Sequence, residues 1–142
     1  MPELERLIKD VTDSYPVDRS RIYLTGLSMG GRGTWDLAAR RPESIAAIVP
    51  MCGAGNVRLA DRLVGVPVWV FHGDADRTIP VAHSRGMIEA LRSVGASPKY
   101  SELKGVGHDC WTHSYADLDG PIPWLFHQRN KSVISDGNSG VP

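Results

Sequence analysis

Apolar residues recur along this chain in two rhythms. Leu4, Leu7, Ile8, Val11 and Tyr15 fall at the spacing of a helix, so residues 3–15 are expected to form an amphipathic helix that buries one face. Pro2 suits its first turn and Pro16 ends it. The second rhythm is the short continuous run. Arg21-Ile-Tyr-Leu-Thr25, Ala46-Ala-Ile-Val-Pro-Met51 and Pro67-Val-Trp-Val-Phe71 have the length and content of strands buried on both faces of a sheet. Lys99–Leu103 alternates and is charged, as an outer strand would be. Between the runs, Gly31–Arg41 carries Trp35, Leu37, Ala38 and Ala39 in a packed helix. A further helix from Pro80 to Val94 sets Met87, Ile88, Leu91 and Val94 on one face, with Gly95 as its C′ residue. Residues 56–64 predict a short helix or irregular crossing with Leu59, Leu63 and Val64 inward, and another helix begins near Pro121. The tail from Ser132 to Pro142, rich in Ser, Gly, Asn and Asp, is expected to be disordered.

Strand and helix alternate, which predicts an α/β fold: a parallel sheet of about four strands with helices on both faces, in a single domain over residues 1–131. Sites in such sheets are built by loops at the carboxyl ends of the strands. The 142 residues suffice for one core and make a second domain unexpected.

Composition narrows the partners. Charged residues make up 23% and the net charge is zero, so nothing favours nucleic acid or an acidic membrane face, and a small-molecule partner, uncharged or of mixed charge, is expected. Met1–Arg6 shows neither a basic nor an apolar leader segment and no apolar run has membrane-spanning length, from which a cytoplasmic protein is expected. Cys52 and Cys110 are too few for a disulfide scaffold, and two small buried thiols are favoured over a bridge.

Candidate chemistry concentrates at strand ends. Gly26-Leu27-Ser28-Met29-Gly30 follows the first strand and opens a helix, the setting of a nucleophile elbow in which small residues let strand and helix approach; a larger residue at Gly26 or Gly30 is expected to crowd the turn. A serine hydroxyl needs a base within hydrogen-bond reach and a third group to orient that base. His108, in the glycine-flanked loop after the last strand, is the favoured base. His72 reads as part of its turn, and His83, His113 and His127 fall on or near helices. Asp76 is favoured as the acid over Asp74, which is placed to bond its own turn, and over Asp109, expected to point away from His108. The Met29 backbone N–H would be one oxyanion donor; no strand with a suitable loop precedes Gly26 to supply a second. Trp111 either lines a substrate pocket or wedges the loop. Neither a metal nor a nucleotide cofactor is implied by any Cys/His spacing or phosphate-binding glycine loop.

The segments Arg21–Trp35, Val70–Val81 and Gly105–Trp111 together resemble the α/β-hydrolase superfamily, in its branch of phospholipase/carboxylesterase-like, dienelactone-hydrolase-like and feruloyl-esterase-like proteins. The resemblance implies Ser28 as nucleophile, Asp76 as orienting acid, His108 as base, a small ester or thioester substrate and no cofactor. It also implies that the chain corresponds to the carboxyl-terminal portion of that fold. An unpaired edge on the elbow strand would then invite a homodimer. Two other readings stay open: a non-catalytic interaction module, and a serine peptidase.

Overall fold

The computed structural model describes residues 2–136. Four strands, β1 (Tyr23–Leu27), β2 (Ala47–Met51), β3 (Trp69–Gly73) and β4 (Lys99–Leu103), form one parallel sheet in the order β1-β2-β3-β4. Among the described residues six α-helices accompany them: α1 (Pro2–Ser14), α2 (Met29–Arg40), α3 (Ala82–Ser93), α4 (Trp111–Ala116), α5 (Pro121–His127) and α6 (Lys131–Asp136). A 3-10 segment, Val57–Leu63, crosses between β2 and β3 with Leu63 buried as expected, whereas Val64, expected to face inward, lies just past its end and is exposed. None of the helices is long and apolar enough to cross a membrane, among the described residues.

The pleat sorts each strand's side chains into two cores. On one face Ile48, Val68 and Val70 pack with Trp35, Leu63, Met87 and Leu91 of the crossing segments. On the other, Ala47, Val49, Met51 and Phe71 pack with Cys110 and Leu125. All five residues of β2 are buried, which explains why its sequence is a continuous apolar run. Gly95 ends α3 with φ +89°, and the Ala96 N–H closes onto the Leu91 carbonyl at 3.0 Å; a left-handed residue at this place is the usual helix stop.

Two larger expectations fail as well. The helix at residues 2–14 forms, but no residue of it is buried. It rests on Glu5, Ile8 and Thr12, the half-buried side, and Glu5 accepts from Arg41 Nε at 3.1 Å. The apolar stripe Leu4, Leu7, Val11 and Tyr15 faces solvent instead. Periodicity reported the helix correctly; which side finds a partner depends on neighbouring elements that periodicity does not contain. The second failure is in the tail, where Lys131–Asp136 is helical. Asn130 anchors its start, donating to the Glu43 carbonyl at 2.7 Å and accepting from the Ser132 N–H at 3.0 Å. The rest of the tail expected to be disordered, from residue 137 on, lies outside the described residues.

Candidate active site

β1 delivers the chain to Ser28, which turns at φ 53°, ψ −117° before α2 begins. A non-glycine residue held there stores local strain, which the surroundings must enforce. The Ser28 N–H donates to the Met51 carbonyl at 2.9 Å, and the Ser28 carbonyl accepts from Arg32 N–H at 3.1 Å. Space does the rest. A Cβ on Gly26 would lie 2.4 Å from the Gly30 carbonyl oxygen, and one on Gly31 would lie 2.5 Å from that of Met51. Gly30, expected to be crowded, has nothing within 4 Å of a Cβ. The tight approach is therefore made by Gly26 and Gly31, because α2 turns its Gly31 side, and not its Gly30 side, toward the β2 loop.

The loop after β4 carries His108. It is held by β3: the Ala75 N–H donates to the Val106 carbonyl at 3.0 Å, and Asp74 Oδ1 accepts from Gly105 N–H at 2.6 Å. Asp74 thus ties down the neighbouring loop and not its own turn. The His108 ring spans the remaining gap, with Nε2 2.9 Å from Ser28 Oγ and Nδ1 2.7 Å from Asp76 Oδ2. These partners assign the proton of the neutral ring to Nδ1, leaving Nε2 to accept the serine hydroxyl. Asp76 is buried, and Asp76 Oδ1 accepts from the N–H groups of Thr78 (2.8 Å) and Ile79 (2.9 Å). Burial opposes ionisation, but the bonds from His108, Ile79 and Thr78 outweigh it and hold the carboxyl below its usual range.

So Ser28, Asp76 and His108, distant in sequence, meet. Asp109 is engaged elsewhere, accepting from the Thr112 N–H at 3.1 Å and the Thr112 hydroxyl at 2.9 Å in the first turn of α4. His83, His113 and His127 are exposed. Trp111 sets its ring perpendicular to that of His108, centroids 5.5 Å apart, and packs on the core that holds Cys110 and Leu125. Met29 is the first residue of α2, where backbone N–H groups have no acceptor within the helix.

Sequence reading missed two neighbours. His72 is fully buried with Nε2 3.1 Å from Asp76 Oδ2. Cys52 is fully buried beside Cys110, whose proximity draws the Cys52 thiol down and pushes that of Cys110 up, while the Cys110 thiol donates to the Phe71 carbonyl at 3.8 Å; both cysteines are free. Cys52 Sγ, an Asp76 oxygen and a His108 nitrogen lie within 4.8 Å of one another. Such a trio has the donors for a thiophilic metal, but here the carboxylate and imidazole are engaged with each other. A cavity of about 530 Å³ opens beneath α1 along Ile8, Ile22, Leu37 and Ile45, and no member of the Ser28 cluster lines it.

A serine at the end of a parallel strand, with a histidine and an aspartate converging from later strands, defines an α/β-hydrolase fold. A thermostable esterase of known structure superposes with a TM-score of 0.86 at 36% identity, covering 89% of this chain and 36% of the esterase. The chain belongs to the dienelactone hydrolase family, which residues 2–118 match, in keeping with the resemblance read from its motifs. A cutinase of Thermobifida cellulosilytica is 38% identical over 93 residues, covering 65% of this chain and 34% of the cutinase. A bifunctional acetylxylan esterase/xylanase of Neocallimastix patriciarum is 26% identical over 101 residues, 71% of this chain and 15% of that protein. The chain thus spans about a third or less of the length of these relatives.

Proposed function

We propose that this chain carries the catalytic triad of a carboxylic ester hydrolase acting on small uncharged esters through an acyl-enzyme. The observation that carries the reading is the unbroken relay from Ser28 Oγ to His108 Nε2 (2.9 Å) and from His108 Nδ1 to Asp76 Oδ2 (2.7 Å). Esterase and cutinase relatives support the ester as substrate class.

In this mechanism the Ser28 oxygen attacks the ester carbonyl while His108 Nε2 takes the hydroxyl proton. The resulting imidazolium keeps its Nδ1–H on the ionised Asp76. His108 then returns the Nε2 proton to the leaving alcohol, and an acyl group remains on Ser28. Water activated by the same nitrogen releases the acid and regenerates the serine. The Met29 N–H, at the open amino end of α2, serves the oxyanion. A second donor from a strand beyond β1 is not supplied by the described residues, and losing one donor typically costs about 10²–10³-fold in rate. A slow esterase is expected from the chain by itself. Hydrolysis of p-nitrophenyl acetate should vanish in Ser28→Ala; equal rates in the two proteins would end the triad reading. A matching anilide should be cleaved far more slowly than the ester, and comparable rates would favour the peptidase.

A further inference from the structure

His72 is the fourth residue of β3 and is wholly buried, yet the relay just described does not use it. Its Nε2 faces two atoms: the Ile79 carbonyl oxygen at 2.8 Å and Asp76 Oδ2 at 3.1 Å. Both can only accept, since Asp76 is ionised, so the proton of the His72 ring is assigned to Nε2. Nδ1 then accepts from the buried Ser84 hydroxyl at 2.7 Å. Asp76 Oδ2 therefore receives the His108 ring N–H and lies 3.1 Å from His72 Nε2, whose own N–H goes to the Ile79 carbonyl, while Asp76 Oδ1 receives two backbone N–H groups. With three donors, and the positive edge of the His72 ring packed against Oδ2, the carboxylate is held against rotation.

The geometry points to His72 as a positioning residue for the reaction: its protonated Nε2, 3.1 Å from Asp76 Oδ2 and bonded to the carbonyl of Ile79, keeps the carboxylate in line with His108 Nδ1, and Ser84 fixes the tautomer that makes this possible. The inference rests on the triad reading and extends it by two residues, into a chain running Ser84, His72, Asp76, His108, Ser28. A histidine that only stapled the 76–79 turn to α3 would need its bonds to Ile79 and Ser84 alone. The contact with Asp76 is what the positioning role adds.

His72→Leu removes the donor at similar volume, and His72→Gln keeps an amide N–H that can reach the Asp76 side. Steady-state hydrolysis of p-nitrophenyl acetate and the rate of Ser28 labelling by a fluorophosphonate probe are measured well below each variant's unfolding temperature. A misplaced catalytic group typically costs on the order of 10²-fold, so kcat and labelling rate should fall about 10- to 100-fold in His72→Leu, with KM within about two-fold. His72→Gln should regain most of that loss. Wild-type labelling by a folded His72→Leu, or equal losses in the Leu and Gln variants, would overturn the positioning role. Should His72→Leu fail to fold, Ser84→Ala carries the test: kcat several-fold lower with KM unchanged is expected, and an unchanged kcat overturns the proposal. A wild-type protein that the probe leaves unlabelled would instead overturn the triad reading beneath it.

Discussion

Gly73→Ala offers a test of how β3 positions the base. A Cβ at residue 73 would sit 2.1 Å from the Val106 carbonyl oxygen and 2.4 Å from that of Gly107, the two residues ahead of His108. Both obstacles are backbone, and Cβ contacts below 3.0 Å are essentially never seen, so relief from 2.1 Å demands a shift of at least 0.9 Å. β3 is held by β2 and β4 on its two sides, and the loop is the softer partner. Movement of that size would stretch the 2.9 Å bond from His108 to Ser28 beyond hydrogen-bond range. Overpacking of this kind costs about 1–3 kcal/mol of stability, and loss of the base about 10²–10⁴-fold in rate. Ester hydrolysis and thermal unfolding should be followed together, with Gly65→Ala as control, since nothing lies within 4 Å of a Cβ there. A Gly73→Ala protein that hydrolyses ester like the wild type would refute the claim that this contact sets the position of His108.

Three other outcomes follow from the same geometry. Gly30→Ala should be tolerated and gain up to about 1 kcal/mol from the better helix former, read by chemical denaturation; a loss of several kcal/mol would contradict the open space seen there. The Asp76 carboxyl is held below its ordinary value of 3.8 in the folded state, so its ionised form stabilises the fold above that pH and the contribution is lost as pH falls through the folded value. Asp76→Asn should accordingly cost about 1–3 kcal/mol at pH 7 and progressively less below about pH 4, and a cost independent of pH would contradict this. The outer edge of β1 has no neighbour among the described residues, and strand addition by a second copy should give a concentration-dependent mass above 15.5 kDa in light scattering at micromolar protein; a monomer throughout would count against it.

Much of the fold was legible because burial on both faces writes itself as uninterrupted apolar runs, as in Ala47–Met51 and Trp69–Phe71, and because Gly95 marks a helix end by conformation. The site was legible for a related reason: Ser28, Asp76 and His108 each follow a strand, and parallel topology brings strand ends together. What stayed hidden depends on the third dimension. The outward turn of the α1 stripe is set by what lies beside the helix. Gly30 and Gly31 are equivalent in sequence and differ only in which one faces the Met51 carbonyl. His72 looked like a turn residue because nothing in Phe71-His72-Gly73 indicates that its ring reaches back over Asp76.

The central claim is that Ser28 is an activated nucleophile, and covalent capture addresses it most directly. Intact-mass and peptide mass spectrometry after brief exposure to a fluorophosphonate should show a single phosphonyl adduct on the peptide containing Ser28. The adduct should be absent from Ser28→Ala and form much more slowly in a folded His108→Ala. An unmodified wild-type protein, or labelling that ignores both substitutions, would contradict the account.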